Sequence, residues 1–225
     1  KVAYLTSFLE DSFQQPIVTH RAGRWAFNSA YARILIDQGY RVDCSVTPGI
    51  SWSHMKGEPS GNGGSDYRGF RHSPYMIDPT DIAQADTSSL LEVPMSIRQQ
   101  PLSWVAGSVR KGLCSVHRRL GPRIADRFVP STVWLRPNGR NRTGMGWLLE
   151  CARTDNWPHV EFMLHSSELM PGGSPRFETP RQIERLHDDL EALFSASAPG
   201  FSGMTLNEFS AAFTSPQTPT SATQQ

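Results

Sequence analysis

His165 closes an apolar run, Phe162-Met163-Leu164, and opens a polar one, Ser166-Ser167-Glu168. An imidazole placed where a strand gives way to a loop can donate or accept a proton near neutral pH, with Glu168 to orient it. It can equally be a structural histidine that caps the following loop. The tight turn just beyond, Met170-Pro171-Gly172-Gly173-Ser174-Pro175, favours the chemical reading, because such loops often carry sites. Arg21 follows another strand-like run and could clamp a carboxylate through two parallel N–H bonds. Arg24, across Gly23, reads as a surface residue covering Trp25. Asp43 ends a third run and could position an arginine or a histidine, or could simply form a turn. His20 adjoins Arg21, but no second histidine lies at metal-ligand spacing, so a supporting role is expected for it. The pair Ser166-Ser167 lacks the Gly-x-Ser-x-Gly elbow of a serine hydrolase.

The elements that must position these residues alternate. Helices are expected over Lys1–Gln15, Ser29–Gln38 (capped by Asn28 and stopped by Gly39), Met145–Arg153, Pro180–Phe194 and Met204–Phe213. The first should bury Val2, Leu5, Phe8, Leu9 and Phe13. Strands are expected at Ile17–His20, Tyr40–Val46, Leu90–Ser96, Thr132–Arg136 and Val160–His165, the last being the most strand-like. Residues 50–88 read as one long loop. Strand–helix alternation implies a mostly parallel α/β sheet, in which functional groups gather at the C-terminal strand ends. His20-Arg21, Asp43-Cys44-Ser45 and His165-Ser166-Ser167-Glu168 all stand at such ends.

Composition narrows the classes. The chain has 225 residues and a formal net charge of +1, so no global field draws it to nucleic acid or to an anionic membrane. No apolar run approaches the ~20 residues of a membrane span. Its three cysteines, Cys44, Cys114 and Cys151, form no CxxC pair and read as free thiols, a mild lean toward a cytoplasmic setting. The basic stretch 98–127 reads as a solvated helix face rather than a polyanion site. Gly57–Gly69 and Ser215–Gln225 are expected to be poorly ordered.

Four segments taken in order carry a family resemblance: Arg21-Ala22-Gly23-Arg24-Trp25, residues 39–48, Leu91-Glu92-Val93-Pro94, and Met163-Leu164-His165-Ser166-Ser167-Glu168-Leu169. Together the chain resembles the NodB-homology polysaccharide deacetylases, nearest the WalW-like branch associated with bacterial cell-surface polysaccharide genes. The likeness runs from about Lys1 to Phe194 and implies a distorted (β/α)7 barrel over residues 1–196. A short helix and a tail, 197–225, would lie outside it. It also implies metal-dependent removal of acetyl groups from an acetylated polysaccharide or oligosaccharide. In that scheme Arg21 braces the catalytic base, Trp25 lines the substrate groove, Asp43 helps orient the catalytic histidine, and His165 protonates the departing amine. Glu168 belongs to the branch pattern beside them. The divalent metal, with zinc the expected ion, would be held by an Asp-Asp pair and a two-histidine motif N-terminal to Arg21, and the residues before Arg21 hold neither. The chain is therefore expected to be an incomplete domain, inactive by itself. The alternative is a non-catalytic carbohydrate-binding or polysaccharide-assembly protein of the same fold.

Overall fold

The computed structural model describes residues 1–57, 60–61, 63–99 and 132–215. Most of the basic stretch, Cys114, and the end of the tail lie outside these residues.

Helix α1 (Val2–Phe13) leads to strand β1 (Thr19–His20), a single 3₁₀ turn (Gly23–Trp25), helix α2 (Ser29–Asp37) and strand β2 (Val42–Asp43). The Asn28 side chain accepts the Tyr31 N–H at 2.9 Å and so caps α2. Gly39, at φ 79°, reverses the chain after it, a conformation costly for any residue with a Cβ. Strands β3 (Tyr75–Met76) and β4 (Leu91–Glu92) complete a sheet of order β1-β2-β4-β3. The first three of these are mutually parallel, and β3 is antiparallel to β4. Strands β5 (Ile97–Gln99) and β6 (Thr132–Trp134) form a separate antiparallel ribbon. Helices α3 (Arg142–Thr154), α4 (Pro180–Ser197) and α5 (Leu206–Thr214) follow, with a 3₁₀ turn at Ser166–Leu169.

All five expected helices form, but the strands are shorter and two expectations change. The long loop contains β3, so the sheet is not wholly parallel. The segment 160–165 pairs with no strand: Met163 N–H donates to Leu135 O at 3.1 Å, while Glu161 N–H is taken by the Ser96 hydroxyl at 2.8 Å. A side chain has replaced the ladder there. Helix α1 also departs from its periodicity. Leu5, Phe8 and Phe13 are exposed, and its buried residue is Thr6, whose hydroxyl meets the Tyr40 hydroxyl at 2.9 Å. Helix α5 does not stand apart, since Leu206 and Phe209 pack on Val42, Cys44, Leu91 and Val93.

That last contact fixes the sheet's polarity. Side chains alternate along a strand, so if Val42, Cys44, Leu91 and Val93 face α5, then Asp43, Ser45 and Glu92 face the other way. An apolar face thus backs onto a helix, and a buried polar face lies opposite.

Candidate functional site

The register aligns chemistry across the sheet. His20 pairs with Asp43, Asp43 with Glu92, and Glu92 with Tyr75, one residue from each of four strands in a single row. Asp43 and Glu92 are fully buried. Buried carboxylates need partners, and Asp43 has a full set. Its Oδ1 meets His20 Nδ1 at 2.6 Å and accepts the Ser45 hydroxyl at 2.9 Å, and its Oδ2 accepts the Ser45 N–H at 3.0 Å. His20 Nε2 lies 3.0 Å from the Tyr31 hydroxyl. Asp43, His20 and Tyr31 therefore form a chain that fixes the imidazole at both nitrogens.

Glu92 is less well served. Its Oε1 accepts the Val46 N–H at 2.9 Å, and its Oε2 is buried with no hydrogen-bond partner among the described residues. Burial, and then the nearby charge of Asp43, hold this carboxyl well above the ordinary carboxylate range. Of the two buried carboxyls in the row, Glu92 is the one whose surroundings favour holding a proton.

Arg21 sits at the end of β1, where the row opens. Its Nε donates to Cys44 O at 3.3 Å, and its guanidinium pairs with the Glu161 carboxylate. The Glu161 Oε2 is buried without a partner among the described residues. Burial pushes the Glu161 carboxyl up and Arg21 pulls it back, leaving it at about 7. A carboxyl so poised can carry a proton in either direction near neutral pH. Burial, and then the nearby Glu161 carboxylate, raise the neighbouring Cys44 thiol far above its usual range, so that sulfur is no nucleophile.

The sequence-derived candidates divide between two places. Asp43 and Arg21 belong to the buried row and its mouth, and Trp25 stacks beside them with the Arg21 guanidinium 5.6 Å from its ring centroid. His165 and Glu168 belong to the 3₁₀ turn. Glu168 Oε1 accepts from Arg136 at 2.9 Å and Oε2 accepts the His165 N–H at 3.0 Å, so the carboxylate is fully used in holding the turn. The His165 imidazole is exposed and makes no cap hydrogen bond. Asp43 meets His20 and not His165, and Arg21 pairs with Glu161, a carboxylate to which the resemblance assigns no role.

Sequence reasoning gave no site role to Glu161, Glu92 or Tyr31, and named Ser45 only within the strand-end run Asp43-Cys44-Ser45. For the two acids a signal existed. Each is a lone charge inside an apolar run, Val160-Glu161-Phe162 and Leu91-Glu92-Val93, where only a buried partner makes a carboxylate tolerable.

Among the described residues no three His, Cys, Asp or Glu side chains come together as a metal-ligand set, and no helix is long and apolar enough to cross a membrane. The resemblance places the ligands of its divalent metal N-terminal to Arg21, and the described residues offer no such set. No family model, curated protein or solved structure matches the chain.

Proposed function

We propose that this chain carries the strand-end half of a hydrolase acting on carbon–nitrogen, non-peptide bonds, which removes acetyl groups from an acetylated cell-surface sugar. The observation that supports it is the meeting of Arg21 and Glu161 at the open end of the His20–Asp43–Glu92 row. Amide hydrolysis adds water across the C–N bond. The water oxygen joins the acetyl carbon, one proton goes to the nitrogen, and acetate and a free amine leave. Glu161 suits the proton-carrying part of that reaction, Arg21 fixes its orientation, and Asp43 with Ser45 keeps the strand end rigid. His165, exposed beyond the same segment, is the group to which the resemblance assigns protonation of the amine.

The test is acetate release from a fully N-acetylated β-1,4-glucosamine tetrasaccharide, compared between the full-length protein that supplies the expected N-terminal motifs and its Glu161→Gln variant. Release that falls at least tenfold in the variant supports the reading. Release that ignores the substitution, or no release from the full-length protein with Zn²⁺ present, removes the hydrolytic function. The second reading is a carbohydrate-binding protein without catalysis, which the three partly buried indoles near Arg21 would equally serve. It predicts sugar binding with no acetate formed.

A further inference from the structure

Beside the charged mouth lie three indoles from three separate segments. Trp25 and Trp52 are nearly parallel, with ring centroids 6.5 Å apart and 15° between planes. Trp134, from β6, lies 5.9 Å from Trp25 and 6.3 Å from Trp52, tilted against both. All three are only partly buried. Their inner parts pack on the cores below, Trp25 and Trp134 with Met95, Ile97 and Met163. Trp52 is fixed by a 2.8 Å hydrogen bond from its Nε1 to the Thr47 hydroxyl.

The backbone under Trp25 is held at a cost. Arg24 and Trp25 are consecutive non-glycine residues in the left-handed region, at φ 55° and 60°. Each such residue costs on the order of 1–3 kcal/mol and persists only where its surroundings over-determine it. They do here, since the buried Tyr67 donates its hydroxyl to Trp25 O at 2.6 Å. A core-filling indole would not require two strained residues. A ring that must present one face in a set direction would.

The chemistry of that face selects its ligand. With ring centroids 6.5 Å apart, the parallel pair leaves no room for a sugar ring between the two indoles, so a ligand must lie across them, on a platform rather than in a clamp. Indole faces are electron-rich and apolar, and they attract the weakly positive C–H face of a sugar ring. They also attract cations, but the Arg21 guanidinium already lies over Trp25 and repels a second positive charge. The guanidinium of the partly exposed Arg21 stands at the platform's edge, where its remaining N–H groups can meet hydroxyl or amide groups. We infer that Trp25, Trp52 and Trp134 form a pyranose-stacking subsite, with Trp52 and Trp134 as binding residues for a neutral oligosaccharide. This deepens the proposed function and rests on it only for the choice of an N-acetylated probe.

The experiment titrates the chain with the N-acetylated β-1,4-glucosamine tetrasaccharide, followed by tryptophan fluorescence and calorimetry, with choline as the cationic control. The tetrasaccharide should bind saturably and choline should not. Trp52→Ala and Trp134→Ala should each weaken binding about tenfold or more, and Trp52→Phe and Trp134→Phe, which keep an aromatic face, should recover most of the loss. Circular dichroism melting of all four variants separates lost binding from lost folding. No tetrasaccharide binding, equal affinity in the folded alanine variants, or a preference for choline overturns the subsite. Acetate release is read separately. Sugar binding without acetate leaves the platform standing and removes the hydrolase. Acetate release with KM unchanged in the tryptophan variants does the reverse.

Discussion

Two arginine–glutamate pairs reach out from the same stretch of chain, and they have opposite characters. Glu161 meets Arg21 and Glu168 meets Arg136, seven residues apart. Depth does not separate them: the Glu161 side chain is 11% exposed and that of Glu168 only 3%. Completeness does. Glu168 spends one oxygen on Arg136 and the other on the His165 N–H, whereas Glu161 keeps a buried oxygen with no partner among the described residues. A satisfied buried carboxylate is scaffolding. An unsatisfied one carries a standing cost that folding alone would not select, and such groups are candidates for chemistry.

The largest test of this contrast removes the arginine from the incomplete pair. Arg21→Met should destabilise the fold by about 3 kcal/mol at pH 8, because Glu161 is then a buried charge without a counterion. At pH 5 the loss should shrink to a fraction of that, since Glu161 can take up a proton and become neutral. Urea unfolding at the two pH values reads the difference. An equal loss at both would mean that the guanidinium acts through packing and that Glu161 is not the titrating partner.

The native protein should show the same carboxyl in its own pH dependence. Glu161 ionises at about 7 in the folded state against an ordinary 4.5. The folded protein therefore holds this proton more tightly than the unfolded chain. The stability it contributes is complete below about pH 4.5 and is lost as pH rises through about 7, a change of about 3 kcal/mol. Glu92, raised in the same direction, steepens the slope. Glu161→Gln should flatten this profile and leave the Glu92 part, as urea midpoints measured from pH 4 to 8 would show. A profile unchanged by the substitution would assign the whole slope elsewhere.

The Glu168 pair, whose carboxylate is fully bonded while Arg136 Nε is buried without a partner among the described residues, should behave otherwise. Glu168→Gln keeps the shape and the acceptor for the His165 N–H, but weakens a charge-assisted bond to Arg136, for a loss of about 1–2 kcal/mol. Restoration of stability by Arg136→Met in the same chain would show that the guanidinium, left unpaired, causes most of that loss.

How far the sequence alone reaches can be judged from these same segments. The helices were legible because caps and stops are local. Asn28 before α2, Pro180 at the start of α4, and Gly39 after α2 act within a few residues. Asp43 and Arg21 were legible as candidates because both stand at strand ends. The row itself was not, because it depends on register between strands far apart in sequence, and no local pattern encodes it. Segment 160–165 misled for a related reason. Its apolar composition fits a strand, yet Ser96 takes the Glu161 N–H that a ladder would have used. Helix α1 failed in the opposite sense. Its apolar spacing is sound, but the sheet presents Tyr40 to it, and a tyrosine hydroxyl is met by Thr6 rather than by Leu5 or Phe8.

The smallest expected effect belongs to the residue that the sequence placed first. His165 is exposed, and its backbone N–H rather than its ring anchors the turn, so His165→Ala should change stability by no more than about 0.5 kcal/mol. That near-silence is useful. Because the substitution spares the fold, any fall in acetate release that it causes can be read as chemistry, and the roles of the two segment ends can be divided. If His165→Ala abolishes release while Glu161→Gln only slows it, the exposed imidazole is the proton donor and Glu161 supports it from the buried end. If Glu161→Gln abolishes release and His165→Ala is neutral, the proton passes through the incomplete pair, and the tight turn beyond Leu164 serves only to shape the rim.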